Sequence, residues 1–299
     1  MKYSTQSCEL CGSNGYPFQK KSTFTYFKCK KCKYLFLHPV PSQDLVTSLY
    51  VNSNSESDEF DKKNLKLGKN IIQLLGTESG KALLDIGCQN GALLQLLRKN
   101  SRLTLHAVEP SIHNFDIVKK IPSINITHGF FDADIYKDVT FDLVNLGDVI
   151  EHLENPKGMI KDINKILRPK GHLVVTTPIT NCAYVKLSNF VKRLLPGFPL
   201  SYLTPPHHLK YFSSSNLDDL LTDNGFEKIE SWYSGQNFKY ELGSSEILLN
   251  GFKGTLLRLA NMRKFAYLAV FLIIFSLTRA LEIFPLKGFS YSAVYKKNV

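Results

Sequence analysis

At 299 residues the chain has room for a catalytic domain of average size and a smaller module. A hydrophobic fraction of 43% with 21% charged residues excludes a disordered or collagen-like chain. The net charge of +11 suggests a nucleic-acid binder, yet the excess sits at the two ends. Residues 1–45 carry seven Lys/Arg against two acids and residues 246–299 eight against two, while the stretch between them carries 22 of each.

The first region, 1–45, is rich in Cys, Lys and aromatics. Cys8-x2-Cys11 is followed after seventeen residues by Cys29-x2-Cys32, a spacing that suits four thiolates around one tetrahedral Zn2+. Gly12 allows the tight turn behind the first pair, and Lys28, Lys30, Lys31 and Lys33 offset the −2 charge of a ZnS4 centre. A redox CxxC normally occurs once, beside a βαβ unit, rather than as two matched pairs. The region therefore reads as a zinc ribbon. Thiolate pairs persist where disulfides are disfavoured, and the first twenty residues hold no apolar signal core, so a cytoplasmic location is expected.

Residues 46–79 read as a linker, with the polar run NSNSES at 52–57, and a leading helix, FDKKNLKLGKNIIQLLG. From 80 to 243, strands are predicted at Lys81–Gly87, Leu103–Glu109, Ile124–Gly129, Phe141–Gly147, His172–Pro178 and Glu227–Tyr233. Helical segments such as Ala92–Asn100, Pro156–Leu167 and Ser213–Asn224 lie between them. That alternation implies parallel βαβ units in a doubly wound α/β sheet. Residues 287–299 contain a closing strand, Phe289–Lys296.

Within the core, the strand LLDI delivers Gly87, Cys88, Gln89, Asn90 and Gly91 at the start of a helix. Glycines at such a turn let the backbone approach a ligand, and the helix N-terminus favours anionic or polar groups. Eighteen residues after Gly91 a second strand ends at Glu109, an acid placed to take both hydroxyls of a ribose. A third ends in HGFFDAD, where Asp132 is a candidate for an adenine amino group. A fourth, FDLVNLGD, passes Gly147 and runs into Val149-Ile150-Glu151-His152-Leu153.

In this order the motifs resemble the class I S-adenosylmethionine-dependent methyltransferases, the subgroup with a D-I-G-C-G-x-G loop and an EHL after strand four. LRPKGHLVVTTP and HHLKYFSSSNLDDLLTDNGFE extend the resemblance over about 80–235. It departs at Gln89, where the family commonly has glycine, and at Lys170, in a turn that is usually Pro-Gly-Gly. The resemblance implies a Rossmann-like seven-stranded sheet and S-adenosylmethionine as cofactor. Asp85, Gly87, Cys88, Gln89, Gly91 and Gly147 would shape the cofactor pocket, Glu109 would hold the ribose and Asp132 the adenine. His152 is the candidate general base, with Glu151 beside it, and His208 comes from the segment that usually roofs the substrate. Tyr50, in the linker, could reach the site as in relatives with an N-terminal module, but reads more readily as a packing residue.

Residues 244–286 interrupt the βα rhythm. EILLNGFKGTLLRLANMRK is amphipathic and basic, and FAYLAVFLIIFSLT is uncharged for fourteen residues, short of the ~20 that span a bilayer. An interfacial helical hairpin at 246–284, lying on the inner face of a membrane, is expected. Soluble packing and a true span stay open. The oligomeric state is not legible. The whole reads as a methyltransferase for a sugar or other small metabolite, nucleotide- or lipid-linked, in glycan or secondary-metabolite synthesis. Two alternatives remain, an RNA methyltransferase using the basic ribbon and a non-catalytic membrane adaptor.

Overall fold

A computed structural model describes residues 5–21, 23–51, 60–194, 202–234 and 289–298. The chain divides into two units. The larger comprises Met1–Pro178, Pro205–Trp232 and Ser292–Val299, and the smaller Ile179–Thr204 and Tyr233–Tyr291.

The N-terminal strands β1 (Gln6–Ser7), β2 (Asn14–Lys21), β3 (Phe24–Cys29) and β4 (Leu35–His38) form an antiparallel sheet. Its interior is aromatic: Tyr26, Phe27, Tyr34 and Phe36 are buried. The two cysteine pairs lie where β1 and β2, and β3 and β4, are joined. A fifth strand, β10 (Lys210–Tyr211), comes from the catalytic core and pairs antiparallel with β4, Lys210 opposite Phe36 and Tyr211 opposite Leu35. Helix α1 (Gln43–Val51) follows β4, and α2 (Phe60–Leu75) leads into the core.

The core alternates as its sequence pattern demands: β5 (Ala82–Ile86), α3 (Ala92–Asn100), β6 (Thr104–Glu109), α4 (Ile112–Lys119), β7 (Ile124–His128), β8 (Phe141–Gly147), α5 (Pro156–Ile166), β9 (Leu167–Pro178), α6 (Ala183–Leu194), α7 (Ser214–Thr222), β11 (Phe226–Ser234) and β12 (Ser290–Lys297). The seven-stranded order is β11-β12-β9-β8-β5-β6-β7, with the strands from β9 to β7 mutually parallel. Apolar runs such as Leu83, Leu84 and Ile86 on β5 are buried on both faces, as parallel sheets require. Leu93, Leu94 and Leu97 on α3 pack into the same core as Leu67, Ile71 and Leu75 of α2. Chain order reverses between β5 and β8, so the crevice at their carboxyl ends is where a ligand is received.

The fifth strand starts earlier than predicted, at Leu167 rather than His172. Its register against β8 shifts between Phe141 and Leu143, and Lys170 sits at φ 63°. This irregularity falls where the sequence has Lys170 in place of the glycine expected from the family it resembles. The insertion expected at 244–286 lies outside the described residues. Among the described residues, no helix is long and apolar enough to cross a membrane.

Candidate active site

The first turn after β5 is shaped by two glycines. Gly87 has φ 72°, and a Cβ there would meet Val149 Cγ2 at 2.8 Å; Gly91 has φ 75°, and a Cβ there would meet Val118 Cγ2 at 2.8 Å. Between them Gln89 also takes a left-handed conformation, φ 50°. The departure from the family pattern therefore falls where glycine would be strain-free; a non-glycine residue in that region costs roughly 1–2 kcal/mol. Compensation comes from Glu109, whose Oε2 accepts the Gln89 amide at 2.8 Å while Oε1 accepts the Ser111 amide at 2.9 Å. Glu109 is thus a strut of the loop, with a further side-chain bond from Asn114, as well as a ligand candidate on the cavity wall. Burial raises its pKa, and the two amides oppose that rise.

Asp85 is buried on β5 and accepts a 2.7 Å bond from Asn145 Nδ2 on β8, across the switch point. Burial pushes its pKa up to about 6; the Asn145 bond opposes the shift and the Glu109 charge adds to it. A cavity of about 460 Å³ opens above, lined at one end by Gly87, Gln89, Glu109, Asn114, Gly129 and Phe130. A recess of about 30 Å³ beside it is walled by Asp85, Gly87, Cys88, Gln89, Asn145 and Gly147. Gln89 Oε1 and Asn145 Oδ1 are buried and have no hydrogen-bond partner among the described residues. Such acceptors in a polar cradle fit the amino and hydroxyl groups of S-adenosylmethionine. Asp132 does not line this cavity. It is exposed and its Oδ1 caps a short 3-10 turn by accepting the Asp134 amide at 2.9 Å; Phe130 and Phe131 take the wall instead.

Beyond β8 the EHL segment forms one 3-10 turn, Ile150–His152. Of the three catalytic candidates, His152 alone borders the cavity. Its Nδ1 lies 2.7 Å from the His207 carbonyl, so Nδ1 carries the proton and donates it, leaving the Nε2 lone pair open. Burial lowers the pKa of the ring, partly countered by the His207 carbonyl and Asp148, so the ring is neutral near pH 7. Glu151 is 1% exposed and faces inward: Oε2 accepts from Thr177 Oγ1 at 2.9 Å and Oε1 stands 4.0 Å from His152 Nε2. His208 also stands behind His152, ring centroids 4.7 Å apart, its Nδ1 buried and without a partner among the described residues. The exposed His207, in the turn before β10, takes the place on the cavity wall expected for His208. Glu151 and His208 thus adjoin His152 without lining the cavity. Donor atoms of Glu151, His152 and His208 lie within 4.8 Å of one another, close enough to share a divalent cation.

Tyr50, read from the sequence chiefly as a packing residue, lines the cavity. From α1 its hydroxyl donates to the His207 carbonyl at 3.2 Å, its ring lies 5.3 Å from that of His152, and it lines the cavity with Val46 and Leu49. Only α1 closing over the crevice reveals it.

The cysteines converge as the spacing requires. Sγ atoms of Cys8 and Cys32 are 3.7 Å apart, of Cys11 and Cys29 3.5 Å, and of Cys11 and Cys32 3.7 Å. A tetrahedron with Zn–S bonds of about 2.3 Å has edges of about 3.8 Å, so the donor set fits zinc. Cys182 is buried apart, its thiol toward the Ile179 carbonyl.

Comparison with known proteins agrees with this geometry. The family described as "Methyltransferase domain" matches residues 60–231. The mitochondrial ubiquinone biosynthesis O-methyltransferase of Schizosaccharomyces pombe is 29% identical over 131 residues, covering 40% of this chain and 47% of that protein. The ubiquinone biosynthesis O-methyltransferase of Coxiella burnetii is 31% identical over 106 residues, covering 34% and 45%. The chain thus spans about half the length of the curated relatives it matches. Among solved structures, magnesium protoporphyrin IX methyltransferase of Synechocystis PCC 6803 superposes with a TM-score of 0.50 over 86% of this chain and 95% of its own, at 11% identity, a likeness of fold. The family match spans more than half of the chain and takes in every loop at the cofactor end of the cavity. The chain therefore belongs to the class I S-adenosylmethionine-dependent methyltransferases.

Proposed function

We propose that the chain transfers a methyl group from S-adenosylmethionine to a hydroxyl oxygen of a small molecule with an apolar body. The carrying observation is one cavity that brings cofactor-loop residues, an imidazole and apolar side chains together. Gln89, Glu109 and Asn114 line it along with His152, Glu154 and the apolar Val40, Val46, Leu49, Leu153 and Met159. The ubiquinone biosynthesis relatives are O-methyltransferases by name, which supports oxygen as acceptor. A lipid-linked metabolite suits the apolar wall better than the bare sugar expected from the motifs. Among the described residues, none that lines the cavity is Lys or Arg, which speaks against RNA, whose phosphates need cations.

Bound cofactor supplies an electrophilic methyl on a sulfonium. The protein aligns the acceptor oxygen with it, where positioning supplies up to about 7–11 kcal/mol of the barrier. The departing sulfur would keep the C–S electron pair, and His152 Nε2 would take the hydroxyl proton. Glu151, 4.0 Å away, favours the resulting imidazolium. Base catalysis of this kind gives about 10²–10⁴-fold. The four cysteines hold a structural Zn2+, and contact of 246–284 with a membrane surface would bring a lipid-linked acceptor near.

The test is methyl-tritiated S-adenosylmethionine with a prenylated catechol as acceptor. Label in the organic phase supports the reading, and label on RNA or a sugar nucleotide but not the catechol contradicts it. The clustering of Glu151, His152 and His208 donors favours one variant, in which a divalent cation there acidifies the hydroxyl. Activity lost to chelation and restored by Mg2+ while the cysteine-bound zinc is retained would select that variant over His152 as base.

A further inference from the structure

We propose that the cysteine module is the positioning element of the acceptor site, with Tyr26 as the residue that sets His208. The inference rests on the reading that His152 and His208 serve the acceptor. The segment carrying both His207 and His208 is held from two sides. On the core side, Leu209 N donates to the Glu151 carbonyl at 2.9 Å, and His152 and Tyr50 both bond the His207 carbonyl. On the ribbon side, Tyr26 Oη donates to the His208 carbonyl at 2.6 Å and Leu37 N to the Leu209 carbonyl at 2.9 Å. Strand β10 then continues the ribbon sheet, and the backbone around His208 is pinned on one side by the ribbon.

The ribbon is tied to the same segment from within its cysteine turns. Glu9, between Cys8 and Cys11, pairs through Oε1 with Lys210 Nζ at 2.7 Å and accepts the Tyr34 hydroxyl at 2.6 Å. The Lys210 side chain is only 4% exposed, so this cation has little water to fall back on. The Cys32 carbonyl accepts from Asn216 Nδ2 at 3.2 Å, at the start of α7. Both cysteine turns are thereby fastened to residues that follow His208 in the chain. A cysteine cluster placed only for stability would need no such bonds. Order in the cysteine turns is transmitted through Glu9 and Tyr26 to His208, and from there to His152, whose ring it touches edge-on.

The experiment is hydrogen–deuterium exchange on the whole chain, together with side-chain 15N resonances of His152 and His208 and S-adenosylmethionine affinity by calorimetry. Tyr26→Phe deletes one bond to the His208 carbonyl and leaves the cysteines intact. We expect peptide 205–211 to exchange about 3–10-fold faster and the imidazole resonances of both histidines to shift. Zinc content should be unchanged and cofactor affinity should stay within about twofold. Exchange and resonances identical to wild type would overturn the inference. Cys8→Ser with Cys29→Ser should speed the same peptide by at least tenfold. If that pair also abolishes cofactor binding, the core has collapsed and Tyr26→Phe alone decides. Failure of the underlying site reading would look different: His152→Ala would turn over at the wild-type rate while the exchange response to Tyr26→Phe persisted.

Discussion

Replacing Asp85 with Asn tests the electrostatics of the cofactor floor. The folded carboxyl has a pKa of about 6 against an ordinary value of 3.8, because it is buried on β5 with only Asn145 to counter the loss of water. The folded state therefore binds the proton more tightly than the unfolded chain. Asp85 contributes most stability below the ordinary carboxylate value, and that contribution is lost as pH rises through about 6. A shift of roughly two units at about 1.4 kcal/mol each is a penalty near ~3 kcal/mol above pH 6. Asn carries no charge and accepts the same Asn145 bond. Asp85→Asn should be more stable than wild type by about 3 kcal/mol at pH 8, and the gap should shrink to roughly 0.5 kcal/mol at pH 4. Urea unfolding of both proteins across that range measures it. Cofactor affinity should fall at the same time, because a carboxylate kept buried at this expense serves a ligand. A stability difference independent of pH, or a destabilised variant at pH 8, would refute the reasoning.

Other outcomes follow from the same geometry. Gln89→Gly should leave stability unchanged or raise it by up to about 1 kcal/mol, the relief of left-handed strain offset by a more flexible unfolded chain; a loss of that size in denaturant titrations would show that the side chain packs usefully. Glu109→Gln sets an amide N–H₂ or a neutral oxygen against the Gln89 and Ser111 amides, and should weaken cofactor binding at least tenfold by calorimetry. His152→Ala should reduce turnover about 10²–10⁴-fold with cofactor affinity nearly unchanged. Since burial depresses the His152 pKa, the wild-type rate should hold as pH falls to 6.5 and drop only below it; an acid limb centred above 6.5 would exclude this ring as the base.

What could be read in the sequence was what depends on local spacing. The run from Asp85 to Gly91 and the acid at Glu109 sit on adjacent parallel strands, so a fixed number of residues brings them together. Helix Ala92–Asn100 and strand Phe141–Gly147 fall where apolar periodicity puts them. The acceptor side depends on contacts across the chain. Tyr50 meets His207 across 157 positions and Tyr26 meets His208 across 182, and no periodicity in either segment announces the partner. Glu151 and His208 carry the right chemistry for a site yet do not line the cavity; Glu151 is bonded to Thr177 instead. Asp132 shows the converse case: an acid at a strand end spent on its own turn.

Calorimetric titration of the full chain with S-adenosylmethionine tests the central assignment most directly. One cofactor per chain is expected, with a dissociation constant in the usual range of about 1 μM–1 mM, weakened by Glu109→Gln. No heat at millimolar ligand, with the protein folded, would contradict it.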